Sequence, residues 1–349
     1  MSSSLSHSPT VVGMRRGLVF ATDALEPLAE LARQAERAGF DRVWTTEYVH
    51  RDAIARALGI ALGTSRIEVG TGIAYAFSRV PLAMAAIAAD VQRMSGGRFA
   101  LGISPGTRGV RRWYGAEFDP PAPRLAEYVG AVRAAWDDDP RLDAPPPLFA
   151  AALNPIMSRT VARTCDGALL HPLALARVHL HERLLPALRE GAEGRTGAFQ
   201  IAAWSVTSID ADEQRARDRG RAQLAFYLST PSYRTIAEGT DWEHVPEAVR
   251  TAYDDSGRRA PWSELAALIP ETLLDELVLS GTPDQVRAKA ERLEAELAEV
   301  GVTELVFQTV GADLSDAELV ANCEQIIEVL GPRRAPGRPA PDETETEER

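Results

Sequence analysis

Eight short apolar runs, each followed by a helix-like stretch or a loop, constrain this chain more than any other feature. The runs are Gly17–Ala21, Arg42–Glu47, Ile67–Ala74, Phe99–Ser104, Leu148–Leu153, Gly167–Leu173, Gln200–Ile209 and Glu304–Val310. Between them the periodicity predicts helices over Pro27–Ala38, Pro81–Met94, Leu125–Trp136, Ile156–Thr164 and Pro283–Glu299. The last of these has a clear start signal, with Thr282 as N-cap, Pro283 in the first turn and Asp284 complementing the helix dipole. Apolar strands of this length alternating with helices predict a parallel sheet covered on both faces. Such units close into a barrel or open into a doubly wound sheet. Eight of them predict an α/β chain folded as a (β/α)8 TIM barrel. A dinucleotide-binding open sheet would carry Gly-x-Gly-x-x-Gly after its first strand, whereas Ala21-Thr22-Asp23-Ala24-Leu25 has no glycine.

Three segments depart from the rhythm. Residues 1–14 are small and polar and are expected to form a flexible N-terminus. Residues 332–349 are rich in proline and then in glutamate and threonine, and are expected to be a disordered acidic tail. Residues 229–280 read as an insertion before the last strand–helix unit, within a barrel spanning 15–331. A net charge of −12 argues against a nucleic-acid partner. The two cysteines, Cys165 and Cys323, lack metal-ligand spacing and are expected as buried thiols, so no metal site is expected. No uncharged apolar stretch is long enough to span a membrane, and the Ser-rich start does not resemble a secretory signal, so the expected location is the cytoplasm.

A TIM barrel places its site where the strands end. The second strand ends Trp44-Thr45-Thr46-Glu47-Tyr48. A glutamate partly withdrawn from water there gains a raised pKa and can act as acid or base. The third strand carries Gly70 and Gly72 before Ile73, which implies a bulge or a backbone platform for a flat ring. The fourth ends Ser104-Pro105-Gly106-Thr107, followed by Arg108, Arg111 and Arg112, a setting in which backbone N–H groups can meet phosphate oxygens. The fifth runs through Asn154 and Pro155 directly into a helix, giving an N-cap and an anion-binding terminus. His171 at the sixth strand end is a candidate proton carrier, with His50 considered beside it. Trp113 and Tyr114 could wall the pocket, and Tyr227, Tyr233 and Trp242 suggest an aromatic lid. His7, His179 and His181 read as peripheral. There is no Gly-x-Ser-x-Gly elbow, His-Glu-x-x-His or Walker motif.

Five segments in order resemble the luciferase-like monooxygenase superfamily, and in particular its branch of deazaflavin (coenzyme F420)-dependent oxidoreductases. They are Ala38-Gly39-Phe40-Asp41-Arg42-Val43-Trp44, Gly70-Thr71-Gly72-Ile73 with Arg79-x-Pro81, Ser95-Gly96-Gly97-Arg98-Phe99-Ala100-Leu101-Gly102-Ile103, Cys165-Asp166-Gly167-Ala168-Leu169-Leu170, and Gly281-Thr282-Pro283. The resemblance runs from about Gly17 to Leu330. It implies a non-prolyl cis peptide at Gly72–Ile73 behind the deazaflavin ring. It implies phosphate binding at Gly106-Thr107 and Asn154-Pro155-Ile156, and a role for Glu47 at the cofactor. Several relatives have histidine where this chain has Tyr48, which leaves Glu47, Tyr48 and His171 as the catalytic candidates.

The resemblance further implies an F420H2-dependent reductase or dehydrogenase acting on an activated C=C or C=N of a small-molecule or peptide-like substrate; the arginine- and alanine-rich composition and the lack of phosphate-holding lysines suggest a place in specialised metabolism. The alternative is an FMN-dependent monooxygenase using O2 and reduced flavin from a partner reductase. A sugar-phosphate substrate is set aside because the only lysine, Lys289, lies on an outer helix. A homodimer is implied by the resemblance alone.

Overall fold

The structure is a computed structural model that describes residues 13–20, 22–116 and 120–332. Most of the expected flexible start and acidic tail lies outside the described residues. Ten strands are present among them: β1 (Arg15–Phe20), β2 (Arg42–Thr45), β3 (Glu68–Thr71), β4 (Ala74–Tyr75), β5 (Phe99–Ser104), β6 (Leu148–Ala151), β7 (Gly167–Leu170), β8 (Gln200–Ile209), β9 (Val278–Gly281) and β10 (Glu304–Thr309). All pairings between them are parallel, and the order β10-β1-β2-β3-β5-β6-β7-β8 closes through β8–β10. The result is the (β/α)8 barrel expected from the eight runs.

Fourteen α-helices accompany the strands among the described residues. Those that frame the barrel are α1 (Leu28–Ala38), α2 (Ala53–Gly63), α3 (Pro81–Met94), α4 (Arg108–Trp113), α5 (Pro121–Asp137), α6 (Pro155–Thr164), α7 (Leu185–Ala192) and α8 (Glu213–Leu228). After α8 come four short ones, α9 (Arg234–Ala237), α10 (Val245–Asp255), α11 (Trp262–Leu265) and α12 (Glu271–Leu277), then α13 (Pro283–Glu299) and α14 (Asp316–Leu330). The start signal before α13 is used as read: Thr282 is extended and its N–H donates to the Gln285 side chain at 2.8 Å. No helix among the described residues is long and apolar enough to cross a membrane.

Two strand assignments are corrected. The third run is not one strand, because β3 stops at Thr71, the Gly72–Ile73 peptide is cis, and β4 resumes at Ala74 to pair with Ile103 of β5. β9 was not anticipated. It pairs only with the outer half of β8, from Val206↔Val278 to Ile209↔Gly281, because β8 outruns β7, whose pairing ends at Ala203.

Inward-pointing side chains from most of the strands fill the barrel. Val19, Trp44, Phe149, Leu169, Trp204 and Val306 form one apolar cluster inside it, apart from the larger core between strands and helices. The floor is ionic. Arg42 Nη1 donates to Glu304 at 2.7 Å, both side chains being almost wholly buried, and Trp44 Nε1 donates to the other oxygen of Glu304 at 2.7 Å. Arg42 also pairs with Glu68 at the edge and lies over the Trp44 ring. A buried charge persists only when its partners are complete. Cys165 and Cys323 are buried free thiols, as read, with burial pushing them up to about 11 and about 12.

Candidate active site

The predicted site residues follow β2, the β3–β4 bulge, β5, β6 and β7 in turn, so all of them fall on the C-terminal face of the barrel. The bulge is bracketed by hydrogen bonds from both sides. Gly72 N–H donates to Thr45 O at 2.7 Å, and Glu47 N–H donates to Ile73 O at 3.1 Å. Beneath it lies Trp204: a β-carbon on Gly72 would stand 2.3 Å from the indole. Only glycine lets the backbone settle onto that ring.

Glu47 is buried beside the bulge, with both oxygens held by Arg79 Nη1 at 2.9 and 3.1 Å. The other Arg79 nitrogen pairs with Asp52, which also caps α2 by accepting from Ala55 N–H at 2.8 Å. Burial pushes the Glu47 carboxyl above the usual carboxylate range, and Arg79 opposes that without cancelling it. Arg79 and Asp52 were not anticipated as parts of the site, although Arg79 stood in one of the quoted segments. Tyr48 is exposed at the rim, edge-on to Trp113 at 6.3 Å between ring centres. His50 is exposed on the same loop. Tyr75 faces Tyr114 at 5.4 Å, and burial raises its phenol well above the ordinary value.

Gly106 has φ +73° and its backbone lies close to Tyr75, where a β-carbon would stand 3.1 Å from the ring. Thr107 then caps α4, accepting from Val110 N–H at 3.4 Å. Asn154 caps α6, accepting from Met157 N–H at 3.0 Å, with Pro155 in the first turn and Ile156 exposed beside it. β5 and β6 are neighbours, so these two starts lie on adjacent loops. First-turn N–H groups lack acceptors within their own helix, which suits them to phosphate oxygens. Thr46 Oγ1 and Trp204 Nε1 are buried without a hydrogen-bond partner among the described residues. An open backbone bulge, two helix starts and unpartnered polar atoms fit a flat ring bearing a phosphate.

His171 lies between Tyr227 and Tyr233, at 4.6 and 4.7 Å between ring centres. Its Nδ1 accepts from Leu173 N–H at 3.2 Å, so Nε2 carries the proton in the neutral ring. Burial brings its pKa down to about 3, leaving it neutral at ordinary pH. Tyr227 is held by Gln308 at the end of β10, and burial raises its phenol to about 12. Two of the three aromatic lid residues therefore reach the site. Trp242 does not: it is buried away from His171 and donates to Glu276 at 3.3 Å. His179, read as peripheral, is in fact buried, with Nε2 donating to Leu153 O at 2.8 Å.

A model of the luciferase-like monooxygenase family matches residues 4–304. An uncharacterized protein of Mycobacterium tuberculosis is 32% identical over 292 residues, covering 74% of this chain and 84% of that one. The 5,10-methylenetetrahydromethanopterin reductase of Archaeoglobus fulgidus is 26% identical over 311 residues, covering 84% of this chain and 92% of the reductase. Among solved structures, the coenzyme F420-dependent tetrahydromethanopterin reductase of Methanopyrus kandleri superposes with a TM-score of 0.70 at 21% identity, covering 90% of this chain and 98% of that one. With the closed barrel, the divided third strand and a match over most of its length, the chain belongs to the luciferase-like monooxygenase family.

Proposed function

We propose that this oxidoreductase transfers hydride between F420 and an activated C=C or C=N of a small or peptide-like organic molecule, as an F420H2-dependent reductase or its reverse. The observation that carries this is the Gly72–Ile73 bulge, supported from below by Trp204 and followed around the mouth by two helix starts. Similarity to a methylenetetrahydromethanopterin reductase supports the same chemistry. Glu47, Gly72 and Ile73 would hold the ring. Gly106-Thr107 and Asn154-Pro155-Ile156 would hold the phosphate.

When bound, the deazaflavin supplies or accepts the hydride. Glu47 is suited to exchange the accompanying proton, since burial raises its pKa while Arg79 fixes its orientation. His171 is suited to polarise an acceptor atom of the substrate by donating from Nε2–H, not to deliver a proton as imidazolium. Tyr48 closes the rim with Trp113. The test is anaerobic titration with reduced F420 and with reduced FMN, followed by turnover on a panel of unsaturated acceptors. F420 binding and loss of turnover in Glu47→Gln are expected. Tight FMN binding with no affinity for F420 would select instead an FMN-dependent monooxygenase supplied by a partner reductase, which the matched family model favours as the second reading.

We propose further that two copies pair through α2 and α3. Ala55, Gly59 and Leu62 on α2 and Leu82, Ile87 and Met94 on α3 are exposed, and the one charged residue of α2, Arg56, is buried. A largely apolar face of this kind, interrupted on α3 by the Asp90–Arg93 ion pair, suits a self-complementary interface. Sedimentation should give a dimer for the wild type and a monomer for Leu62→Glu/Leu82→Glu; a wild-type monomer refutes the pairing.

A further inference from the structure

We infer that the π turn His179–Leu184 couples binding of the cofactor phosphate at Asn154 to the segment covering the mouth, with His179 as the positioning residue. This rests on the phosphate site proposed above. The turn was not anticipated from sequence, and turns of this kind often sit at functional positions.

His179 opens the turn. A carbonyl can only accept, so the 2.8 Å contact with Leu153 O requires the proton on Nε2. Leu153 immediately precedes the N-cap of α6, so this bond fixes the peptide that leads into the proposed phosphate terminus. Nδ1 is then left as an acceptor, buried and without a partner among the described residues. Ser158 Oγ, in the first turn of α6, is likewise buried and unpartnered. Leaving two polar atoms unsatisfied destabilises the fold, and apolar side chains could fill these positions without that penalty. What the histidine supplies at this position is the bond to Leu153.

The same turn grips the cover. Arg183 donates to Thr235 O at 3.0 Å and to Glu238 O at 2.8 Å, and pairs with the Glu238 carboxylate at 3.7 Å. Tyr233, two residues before the first of these carbonyls, lies against His171 at the mouth. Three residues of one turn therefore separate the side chain that sets the helix start from the side chain that anchors residues 231–239. Ordering of either end is communicated through a single short segment.

The test compares F420 with the 8-hydroxy-5-deazaflavin nucleoside that lacks its phosphate, or FMN with riboflavin if flavin is the occupant. Affinity is measured by fluorescence titration, and deuterium uptake is followed over residues 231–239. The wild type should favour the phosphate-bearing form, and that form should protect 231–239 more than its counterpart. His179→Gln should lose about 10-fold of the preference while keeping its affinity for the phosphate-free form. Arg183→Ala should lose the additional protection, and this variant alone decides the coupling if His179→Gln does not fold. A wild type without preference overturns the phosphate site itself. A wild type with the preference, retained in His179→Gln together with full protection in Arg183→Ala, overturns the coupling.

Discussion

Gly72→Ala probes the platform with the smallest possible change. The added β-carbon would stand 2.3 and 2.6 Å from two carbons of the Trp204 ring. Ordinary carbon contacts need about 3.5 Å, so the backbone or the indole must move by about 1 Å. Trp204 is itself buried within the barrel cluster and has little room to retreat. Overpacking of this kind costs about 1–3 kcal/mol, which at roughly 2 °C per kcal/mol for a chain of this size is a fall in Tm of about 2–6 °C. Displacement of the bulge should also weaken cofactor binding on the order of 10-fold. Gly130→Ala is the control. Gly130 is exposed within α5 and a β-carbon there would meet nothing within 4 Å, so alanine should raise stability by about 0.5–1 kcal/mol. Differential scanning calorimetry and cofactor titration on both variants give the comparison. Equal Tm and equal affinity for Gly72→Ala and the wild type would refute the packing argument.

Two other changes test the floor and the histidine. Glu304→Ala removes the partner of Arg42 and of the Trp44 indole N–H, and should destabilise by about 3–5 kcal/mol; a urea titration showing less than about 1 kcal/mol would refute the role given to that network. His171 titrates at about 3 in the folded chain against 6.5 in the absence of burial. Its depressed pKa makes the folded state bind fewer protons than the unfolded state between these values, so its contribution is present above 6.5 and is lost as pH falls toward 3. The urea midpoint of the wild type should therefore fall more between pH 7 and pH 4.5 than that of His171→Asn, and parallel curves would contradict a neutral His171.

The barrel was legible because buried parallel strands leave apolar runs and because glycines punctuate them. Gly70 and Gly72 marked the divided third strand, and Asn154-Pro155 marked the start of α6. β9 was not legible. Val278–Gly281 is four residues long, directly follows α12 and pairs only where β8 overhangs β7, a tertiary circumstance. Arg79 could not be paired with Glu47 from spacing, since they are 32 residues apart and meet only when the β3–β4 bulge folds over β2. His179 was misjudged because His181, Glu182 and Arg183 around it read as surface; the π turn directs His179 inward and leaves those neighbours less buried. The aromatic residues beyond α8 were recognisable as a group, but only the fold separates Tyr227 and Tyr233 from the buried Trp242.

The proposed function depends on the Gly72–Ile73 bulge carrying the ring of a phosphate-bearing deazaflavin. A crystal structure of the protein with F420 tests it most directly. The ring should lie in van der Waals contact with the Gly72–Ile73 backbone, Glu47 beside it, and the phosphate within hydrogen-bond distance of the backbone at Gly106-Thr107 or Asn154–Ile156. A ring bound elsewhere, or a phosphate directed away from both helix starts, would contradict it.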